Sequence, residues 1–133
     1  MSKRLAGKTA LITGASSGIG RQTAISCSRM GGKLIITGRN AERLNHTLGE
    51  LEGDGHQSEI ADLTLQAEIN RLVERCGRID GVFHSAGVAG VTPIRQISEQ
   101  FLQHVFHSNY FAPILLTQRL LAKAAVQKGG SII

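Results

Sequence analysis

The sequence predicts an α/β fold in which helices cover both faces of a doubly wound parallel sheet. Short apolar runs rich in β-branched residues recur at intervals of roughly 25 residues, and segments with helical periodicity lie between them. A glycine-rich turn follows the first run, at the point where a strand would give way to a helix. No linker or change of composition divides the 133 residues, which predicts one domain over 1–133. The predicted strands are TALIT at 9–13, KLIIT at 33–37, HQSEIA at 56–61, GVFH at 81–84 and SII at 131–133.

The first two helices are predicted from side-chain stripes and one capping residue. Within residues 19–30, the stripe consists of Ile19, Thr23 and Cys27. The second helix follows Asn40, which is a good N-cap because its side-chain oxygen can accept from a free N–H of the first turn. The apolar positions of this helix are Leu44, Leu48 and Leu51.

The third and fourth helices carry signals at their ends. The third follows Thr64, a predicted N-cap, and ends at Gly77, because glycine readily adopts the left-handed conformation found after a helix. Its i, i+3, i+4, i+7 pattern consists of Ile69, Leu72, Val73 and Cys76. Ser98 opens a longer helical stretch, which is predicted to run to about Gln127.

Composition excludes several classes of protein. A hydrophobic content of 41% with 19% charged residues is typical of globular domains, and no apolar run reaches the roughly 18 residues of a membrane span. The opening MSKRLAGKT lacks the apolar stretch of a signal peptide. Cys27 and Cys76 are too few and too far apart for a disulfide framework or a zinc cluster. This favours a reducing, cytoplasmic setting in which both thiols act as small hydrophobes.

The net charge of +5 does not indicate nucleic-acid binding. The 15 lysine and arginine residues are spread from Lys3 to Lys128 among acidic residues, and one Tyr, four Phe and no Trp leave few side chains for base stacking. His104 and His107 lie three residues apart on a predicted helix, but no acidic or cysteine partner sits at ligand spacing, so we expect no metal site. A mildly positive protein still favours a small polyanionic ligand.

The three glycines of the first turn fit a site that holds an anion. Gly14 allows the chain to leave the strand sharply, Gly18 removes a Cβ where a ligand approaches the backbone, and Gly20 lets the helix lie close to the sheet. The helix that begins near Gly18 directs its free N–H groups and positive dipole end at this gap, which suits a pyrophosphate. Ser16 and Ser17 add hydroxyl donors at the rim. The spacing is GxxxGxG rather than the GxGxxG of many dinucleotide-binding turns.

Five motifs, in order along the chain, resemble those of the short-chain dehydrogenase/reductase family. They are TGASSGIG at 13–20, ADL at 61–63, HSAG at 84–87, HSNYFAPILLT at 107–117 and GGSII at 129–133. The resemblance covers the whole chain and implies a Rossmann fold with a nicotinamide cofactor, which transfers hydride between a carbonyl and an alcohol. HSAG stands where the family has NNAG, and we expect the ring of His84 to be satisfied by backbone groups.

The resemblance also implies roles for individual residues. Those expected to contact the phosphates and ribose of the cofactor are Gly14, Ser16, Gly18, Ile19 and Gly20. Asp62 would accept from the adenine amino group, with the Leu63 N–H beside it; a strand-end aspartate that caps the next turn is the alternative. Ser85, Ala86 and Gly87 form the next part of the predicted site, where the last two let the backbone approach the ribose.

The end of the second predicted strand distinguishes the two nicotinamide cofactors. An acid there grips the free ribose hydroxyls of NAD(H), but this sequence has Gly38 in the place of the acid, followed by Arg39. A guanidinium pairs bidentately with a phosphate, so Arg39 predicts the 2′-phosphate of NADP(H) in preference to NAD(H). The alternative is a solvated Arg39 paired with Glu42 in the first helical turn.

Pro113 interrupts the fourth predicted helix. Because proline has no N–H, the carbonyl of Asn109 cannot receive its helical bond, and the proline ring pushes that turn open. In the resembled family this asparagine is catalytic, and its carbonyl holds a water that feeds a proton relay. The alternative is that Asn109 is an ordinary polar residue beside a bend.

The resemblance places the catalytic Ser and the Tyr-x-x-x-Lys pair after the last residue of this sequence. Tyr110 is followed four residues later by Ile114 rather than by Lys. We therefore expect the N-terminal part of an NADP(H)-dependent carbonyl reductase or alcohol dehydrogenase, with strand five onward missing and no turnover alone. The alternatives are a non-catalytic NADP-binding module and an inactive truncated fragment.

The last predicted helix has more apolar surface than one sheet can cover. The doublets Leu115–Leu116 and Leu120–Leu121 cannot all face the same way, which predicts a homo-oligomer, a dimer or tetramer in the full-length form. A strand at 131–133 would be an unprotected edge, which invites pairing or aggregation.

Overall fold

The computed structural model describes residues 2–133, which form five strands and five α-helices. A short 3-10 turn, Ile94–Gln96, precedes the fourth helix, and a π-helical turn, His107–Phe111, joins the fourth helix to the fifth. In chain order the elements are β1 (Thr9–Ile12), α1 (Gly18–Arg29), β2 (Lys33–Gly38), α2 (Ala41–Glu50), β3 (Gln57–Ile60), α3 (Gln66–Cys76), β4 (Ile79–Phe83), α4 (Glu99–Phe106), α5 (Ala112–Ala122) and β5 (Val126–Ile132).

All five strands pair in parallel, in the order β3-β2-β1-β4-β5. The order reverses at β1, whose Leu11 lies between Ile35 of β2 and Val82 of β4. Helices therefore cover both faces of the sheet, and the prediction of a doubly wound α/β fold is confirmed. The reversal leaves a crevice beyond the carboxyl ends of β1 and β4, where open sheets of this kind bind ligands.

Each face of the sheet has its own apolar core. Leu11 points to the face covered by α3 and α5, where it joins Leu116 and Leu120, whereas the next residue, Ile12, points to the face covered by α1 and α2 with Leu44. Successive side chains on a strand alternate between faces, so a sheet that is buried on both faces needs continuous apolar strands. This explains the short uninterrupted runs in the sequence.

The stripe predicted for the first helix is wrong. Ile19 is 73% exposed, and the core side of α1 is instead formed by Ala24 and Ile25. The first turn of α1 lies beyond the carboxyl edge of the sheet, so Ile19 faces a cleft rather than the core. Cys27 is half-buried and packs at the margin of the core.

Three of the four predicted helix-end signals are confirmed. The side chain of Asn40 accepts from the N–H of Arg43 at 2.9 Å, and that of Ser98 accepts from Phe101 at 3.1 Å. Gly77 follows α3 with a φ of 60°. Thr64 is not the N-cap, because its hydroxyl donates to a neighbouring carboxylate and the helix begins one residue later than expected, after Leu65.

The end of the chain departs from the prediction of a helix to about Gln127 and a strand only at 131–133. The helix ends at Ala122, and Ala124 adopts a left-handed φ of 50° that turns the chain back to the sheet. Strand five is present from Val126, opposite Ile79, because pairing with β4 outweighs the helical propensity of this segment. The register of β5 against β4 shifts after Ile79, and β5 forms an edge of the sheet.

Two properties predicted from composition concern membranes and thiols. Across residues 2–133, no helix combines the length and apolarity needed to cross a membrane. Both cysteines are free, and Cys76 lies in the core, where burial raises the pKa of its thiol to about 12. Burial also raises the pKa of Cys27, so neither thiol is activated.

Candidate functional site

A cleft of about 710 Å³ lies at the carboxyl ends of the strands, where the loops after β1, β2, β3 and β4 converge. Its volume is within the range of small-molecule and cofactor sites, roughly 300–1,000 Å³. The residues predicted for the site that line it are Gly14, Ser16, Ser17, Gly18, Ile19, Arg39, Asp62, Leu63, Ser85, Ala86 and Gly87. Two predicted residues, Gly20 and Asn109, are not among the lining residues.

The three glycines differ in what surrounds them. A Cβ on Gly14 would lie 2.7 Å from the backbone of Ser85 and Ala86, and one on Gly20 would overlap the carbonyl oxygen of Gly14. A Cβ on Gly18 would meet nothing within 4 Å, although its φ is 57°. Gly14 and Gly20 are therefore required by the packing of the turn, whereas Gly18 leaves open space beside the cleft.

The first turn of α1 presents an anion site made of backbone groups. The N-cap, Ser17, makes no side-chain bond to this turn, so its hydroxyl does not cap the free N–H groups. Ser16 lies beside it, and its Oγ is buried with no hydrogen-bond partner in the described part of the chain. A phosphate oxygen would satisfy both the amides and this hydroxyl, because helix N-termini attract negative charge.

Two arginines lie at the end of β2. Arg39 and Arg43 both line the cleft, and within residues 2–133 no carboxylate lies within 4.0 Å of either guanidinium. The alternative in which Arg39 pairs with Glu42 is therefore not what the structure shows. Sequence reasoning missed Arg43, although its position in the first turn of α2, four residues after Arg39, was an available signal.

Gly38 lies directly against the side chain of Ser16. A Cβ on Gly38 would overlap Ser16 Oγ, so a residue larger than glycine at this position would displace the serine side chain. An acid at this position would therefore require Ser16 Oγ to move from its place beside the cleft.

Asp62 lies at the carboxyl end of β3 and is held by its own turn. Its Oδ1 accepts from the N–H of Thr64 at 2.9 Å and from the Thr64 hydroxyl at 2.6 Å. The Thr64 hydroxyl bond is the main cause that holds the pKa of Asp62 below its usual value, with a smaller contribution from Arg39. The turn-capping alternative is thus present, and the carboxylate still lines the cleft.

The loop after β4 is anchored from two sides. The hydroxyl of Thr13 accepts from the N–H groups of Ser85 and Ala86, each at 3.0 Å. Asn109 binds the backbone of Val88 with both ends of its amide: Oδ1 accepts at 2.7 Å and Nδ2 donates at 2.8 Å. A Cβ on Gly87 would lie 2.9 Å from Asn109 Oδ1, so glycine is required where the two segments meet.

The sequence predicts that backbone groups satisfy the ring of His84, and this prediction is wrong. Its Nε2 lies 2.8 Å from the hydroxyl oxygen of Thr117 on α5, and burial lowers the pKa of the imidazole. The ring thus ties the end of β4 to α5 in its neutral form.

The predicted break in the last helix is confirmed by a π-helical turn. The N–H of Ala112 donates to His107, five residues earlier, one residue before Pro113. This turn places Ser108 against the cleft, with its Oγ buried and unpaired in the described part of the molecule. The role of Asn109 that this structure shows is to clamp the loop; its catalytic role stays a prediction.

A comparison with known proteins identifies the family. The family model described as "short chain dehydrogenase" matches residues 8–133. This chain belongs to the short-chain dehydrogenase family. The family resemblance predicted from the five sequence motifs is confirmed.

Individual relatives agree with this assignment. The uncharacterized oxidoreductase YciK of Escherichia coli K12 is 36% identical over 92% of this chain and 53% of its own length. The 3-oxoacyl-[acyl-carrier-protein] reductase FabG of Rickettsia prowazekii is 33% identical over 97% of this chain and 53% of its own. A short-chain dehydrogenase of Shigella flexneri, solved in complex with NADP, matches with a TM-score of 0.81 and 35% identity over 92% of this chain and 55% of its own. The chain thus spans about half the length of the relatives that it matches.

Several residues of the short-chain dehydrogenase cleft were missed by sequence reasoning. Besides Arg43, those that line it are Thr37, Asn40, Ala61, Thr64, Val88, Ser108 and Ala112. Most are neighbours of predicted residues at the same strand ends. Ser108 and Ala112 come from the helical segment across the cleft, and only the π-helical turn brings them to the site.

Proposed function

We propose that this chain binds NADP(H) and forms the cofactor half of an oxidoreductase that interconverts a carbonyl and an alcohol. The observation that carries the proposal is that Arg39 and Arg43, which have no carboxylate partner within residues 2–133, lie beside a backbone anion site in one cleft. The structure of a short-chain dehydrogenase of Shigella flexneri in complex with NADP also supports the proposal that this chain binds NADP(H). The cofactor supplies or accepts the hydride, and the residues of this chain hold and orient it.

The residues fit such a cofactor at each of its parts. The first turn of α1 and Ser16 would hold the pyrophosphate, with Gly18 leaving space for its oxygens. Arg39 and Arg43 would hold the 2′-phosphate, because two guanidinium groups offer several N–H donors to one dianion. Asp62 would accept from the adenine amino group through an oxygen that Thr64 leaves accessible at the cleft wall.

The nicotinamide end would be bounded by the loop after β4. Thr13 and Asn109 each hold the backbone of this loop through two hydrogen bonds. Ala86 and Gly87 present little side chain there, which lets a ribose approach the backbone. Ser108 Oγ, buried and unpaired, would supply a polar contact from the π-helical turn.

The reaction also needs an acid/base group, which we propose is not among these 133 residues. Tyr110 is the one tyrosine of the chain and has Ile114, not Lys, four residues later. Tyr110 is exposed and lies next to Phe111 in an edge-to-face pair, away from the cleft lining. We therefore propose cofactor binding without turnover for the chain alone, and an inactive fragment is the competing interpretation.

A homo-oligomer is supported by an exposed apolar surface on the last two helices. Leu116 and Leu120 are fully buried, but Leu121 is 56% exposed, and Phe106 and Ile114 are exposed to a similar extent. Apolar surface of this kind marks a contact with another protein surface. Sedimentation of the chain at several concentrations, with Leu121→Lys as the comparison variant, tests this proposal.

Calorimetric titration with NADPH and NADH tests the cofactor. We expect the parent chain to bind NADPH more tightly than NADH, and Arg39→Asp to reverse or abolish the difference. Arg43→Ala is expected to weaken NADPH about tenfold and to leave NADH unchanged, because one charge-assisted pair with the 2′-phosphate is lost.

Arg29→Ala is the matched control, since Arg29 is an exposed arginine of α1 that pairs with Glu52 and does not line the cleft. It removes the same charge and is expected to change neither affinity. The proposal fails if Arg39→Asp binds NADPH as tightly as the parent, or if a folded sample binds neither nucleotide.

A separate assay distinguishes a cofactor-binding module from an enzyme. The chain is incubated with NADPH and a panel of small ketones, and oxidation of NADPH is followed by absorbance. Saturable binding without oxidation supports the proposal that the chain binds but does not turn over. Steady oxidation that depends on the ketone would show that the acid/base group lies within these residues.

A further inference from the structure

A second pocket of about 300 Å³ lies between the carboxyl-terminal halves of α3 and α5. Part of its wall comes from the residues that immediately precede β4 and β5, so it is at the amino edge of the parallel sheet, opposite the cofactor cleft. The residues that line it are Asn70, Val73, Glu74, Gly77, Arg78, Arg119, Lys123, Ala124 and Ala125.

The pocket carries an excess of positive charge. Three cations, Arg78, Arg119 and Lys123, line it, against one carboxylate, that of Glu74. Within residues 2–133 no carboxylate lies within 4.0 Å of any of the three, and Arg78 donates only to the amide oxygen of Gln127, at 2.9 Å. The Nε of Arg119 is buried and has no partner in the described part of the chain. A buried donor without a partner is unfavourable, so a ligand that accepts from it is stabilised.

The simplest structural explanation for cations at this place is that they satisfy the last carbonyls of a helix. The structure argues against it for α5, because backbone N–H groups already occupy these carbonyls. The backbone N–H of Lys123 donates to the carbonyl of Arg119 at 3.1 Å. The backbone N–H of Ala124 donates to the carbonyl of Leu121 at 3.0 Å, and that of Ala125 donates to the carbonyl of Leu120 at 2.9 Å. The side-chain donors of Arg119 and Lys123 are therefore left for another acceptor.

The backbone at the rim of this pocket is also unusual. Ala124 has a φ of 50°, and among the described residues it is the one non-glycine with a positive φ. Such a conformation is unfavourable in an L-residue because the Cβ approaches the following carbonyl oxygen. The positive φ of Ala124 turns the chain sharply from α5 into β5. Lys123, at the end of α5, thereby lines the same pocket as Arg78.

We propose that this pocket binds an oxyanion of the phosphate class, held by Arg119, Arg78 and Lys123. A phosphate carries two charges at neutral pH and several acceptor oxygens, which matches three unpaired cations around a buried donor. The site is independent of the proposed cofactor cleft, because the two share no lining residue and lie at opposite edges of the sheet.

Nuclear magnetic resonance of the nitrogen-15-labelled chain tests the proposal. Inorganic phosphate is added at constant ionic strength, with sodium chloride as the parallel titration. We expect saturable shifts of the amides of Gly77, Ala124 and Ala125 with phosphate and none with chloride. Binding of phosphate in the cofactor cleft is monitored separately, through the amide of Gly18.

Variants identify the side chains. Arg119→Gln is expected to raise the Kd for phosphate about tenfold, as loss of a charged hydrogen bond predicts. Lys123→Gln changes an exposed residue, so it keeps the fold and is expected to weaken binding in the same direction. The matched control is Arg75→Gln, an exposed arginine of α3 that does not line the pocket and is expected to leave the Kd unchanged.

Comparison of inorganic phosphate with phenyl phosphate decides the source of the ligand. Tighter binding of the ester indicates a phosphorylated compound, and tighter binding of inorganic phosphate indicates the free ion. The proposal is overturned if chloride produces the same shifts, if the pocket amides do not respond, or if Arg75→Gln weakens binding as much as Arg119→Gln.

Discussion

The two edges of the parallel sheet present different ways to hold an anion. At the carboxyl edge the donors are backbone N–H groups of the turn at residues 14–20, and a set of side-chain bonds holds the surrounding loops. At the amino edge the donors are long side chains, those of Arg78, Arg119 and Lys123. A ligand there does not have to approach the backbone. Anion binding at the carboxyl edge therefore depends on glycines, which have no side chain to block the backbone N–H groups. Anion binding at the amino edge depends on the charged side chains themselves.

This difference teaches where substitutions should matter. The carboxyl edge fails when a Cβ is added or when an anchoring hydroxyl is removed, because backbone segments meet there at contact distance. At the amino edge, Arg78 and Lys123 are exposed side chains that can move, and surface ion pairs contribute at most about 1 kcal/mol each. Four predictions break or sharpen the contrast, in order of decreasing effect.

Gly20→Ala is expected to cause the largest loss. Its Cβ would overlap the carbonyl oxygen of Gly14, and because both atoms belong to backbone, the turn must deform. We expect the free energy of unfolding to fall by about 3 kcal/mol in urea titrations. Gly49→Ala in α2 is the control, since a Cβ there meets nothing within 4 Å and should raise stability by about 0.5–1 kcal/mol. A Gly20→Ala chain as stable as the parent would contradict the close packing of helix and turn.

Thr13→Val is expected to have the next largest effect. It keeps the shape of a side chain that is 1% exposed but removes the acceptor for the N–H groups of Ser85 and Ala86. Two donors lose their partner, and the free energy of unfolding should fall by about 2 kcal/mol, measured by urea denaturation. Thr13→Ser retains the hydroxyl and should lose less. A Thr13→Val chain as stable as the parent would contradict this role of the hydroxyl.

The His84–Thr117 contact predicts a smaller, pH-dependent effect. Burial lowers the pKa of folded His84 below its ordinary value of 6.5, so the unfolded chain takes up the proton first as the pH falls. This contribution to stability is complete above pH 6.5 and is lost between 6.5 and the lower pKa of the folded state. Urea titrations across this range should show a steeper decline for the parent than for His84→Asn. Parallel curves for the two proteins would contradict the prediction.

Asp80→Asn, at the amino edge, is expected to have the smallest effect. Asp80 lies 3.7 Å from the ammonium of Lys8, whose side chain is 61% exposed, and it also accepts from the N–H of Thr9 at 2.9 Å. The asparagine oxygen can still accept that bond, so urea denaturation should show a loss of less than about 0.5 kcal/mol. A loss as large as that of Thr13→Val would remove the distinction between the two edges.

The elements that the sequence predicted well are those whose signals are local. The continuous apolar runs of β1 and β2, the glycine turn and the caps at Asn40 and Ser98 are all set by residues within a few positions of one another. The loops after these strands then converge on one cleft, because the carboxyl ends of parallel strands share an edge. Most of the predicted site follows from that single geometric rule.

The features that were missed depend on contacts between distant parts of the chain. Whether Ala122 continues as helix is decided by pairing of Val126 with Ile79, which no local propensity records. Threonine is a common N-cap residue, but the hydroxyl of Thr64 donates a hydrogen bond to the carboxylate of Asp62 instead of capping the helix. Likewise, the ring of His84 finds Thr117 from a helix 33 residues away, a partner that only the packed structure supplies.

The π-helical turn, His107–Phe111, sets the rotational phase between α4 and α5. Each residue turns an α-helix by about 100°, so the wider turn determines which side of α5 faces α3. Deletion of one residue within it would rotate Leu116 and Leu120 out of the core, whereas exchanges at constant length would leave them in place. For this stretch of chain, the number of residues is therefore more strictly constrained than their identity.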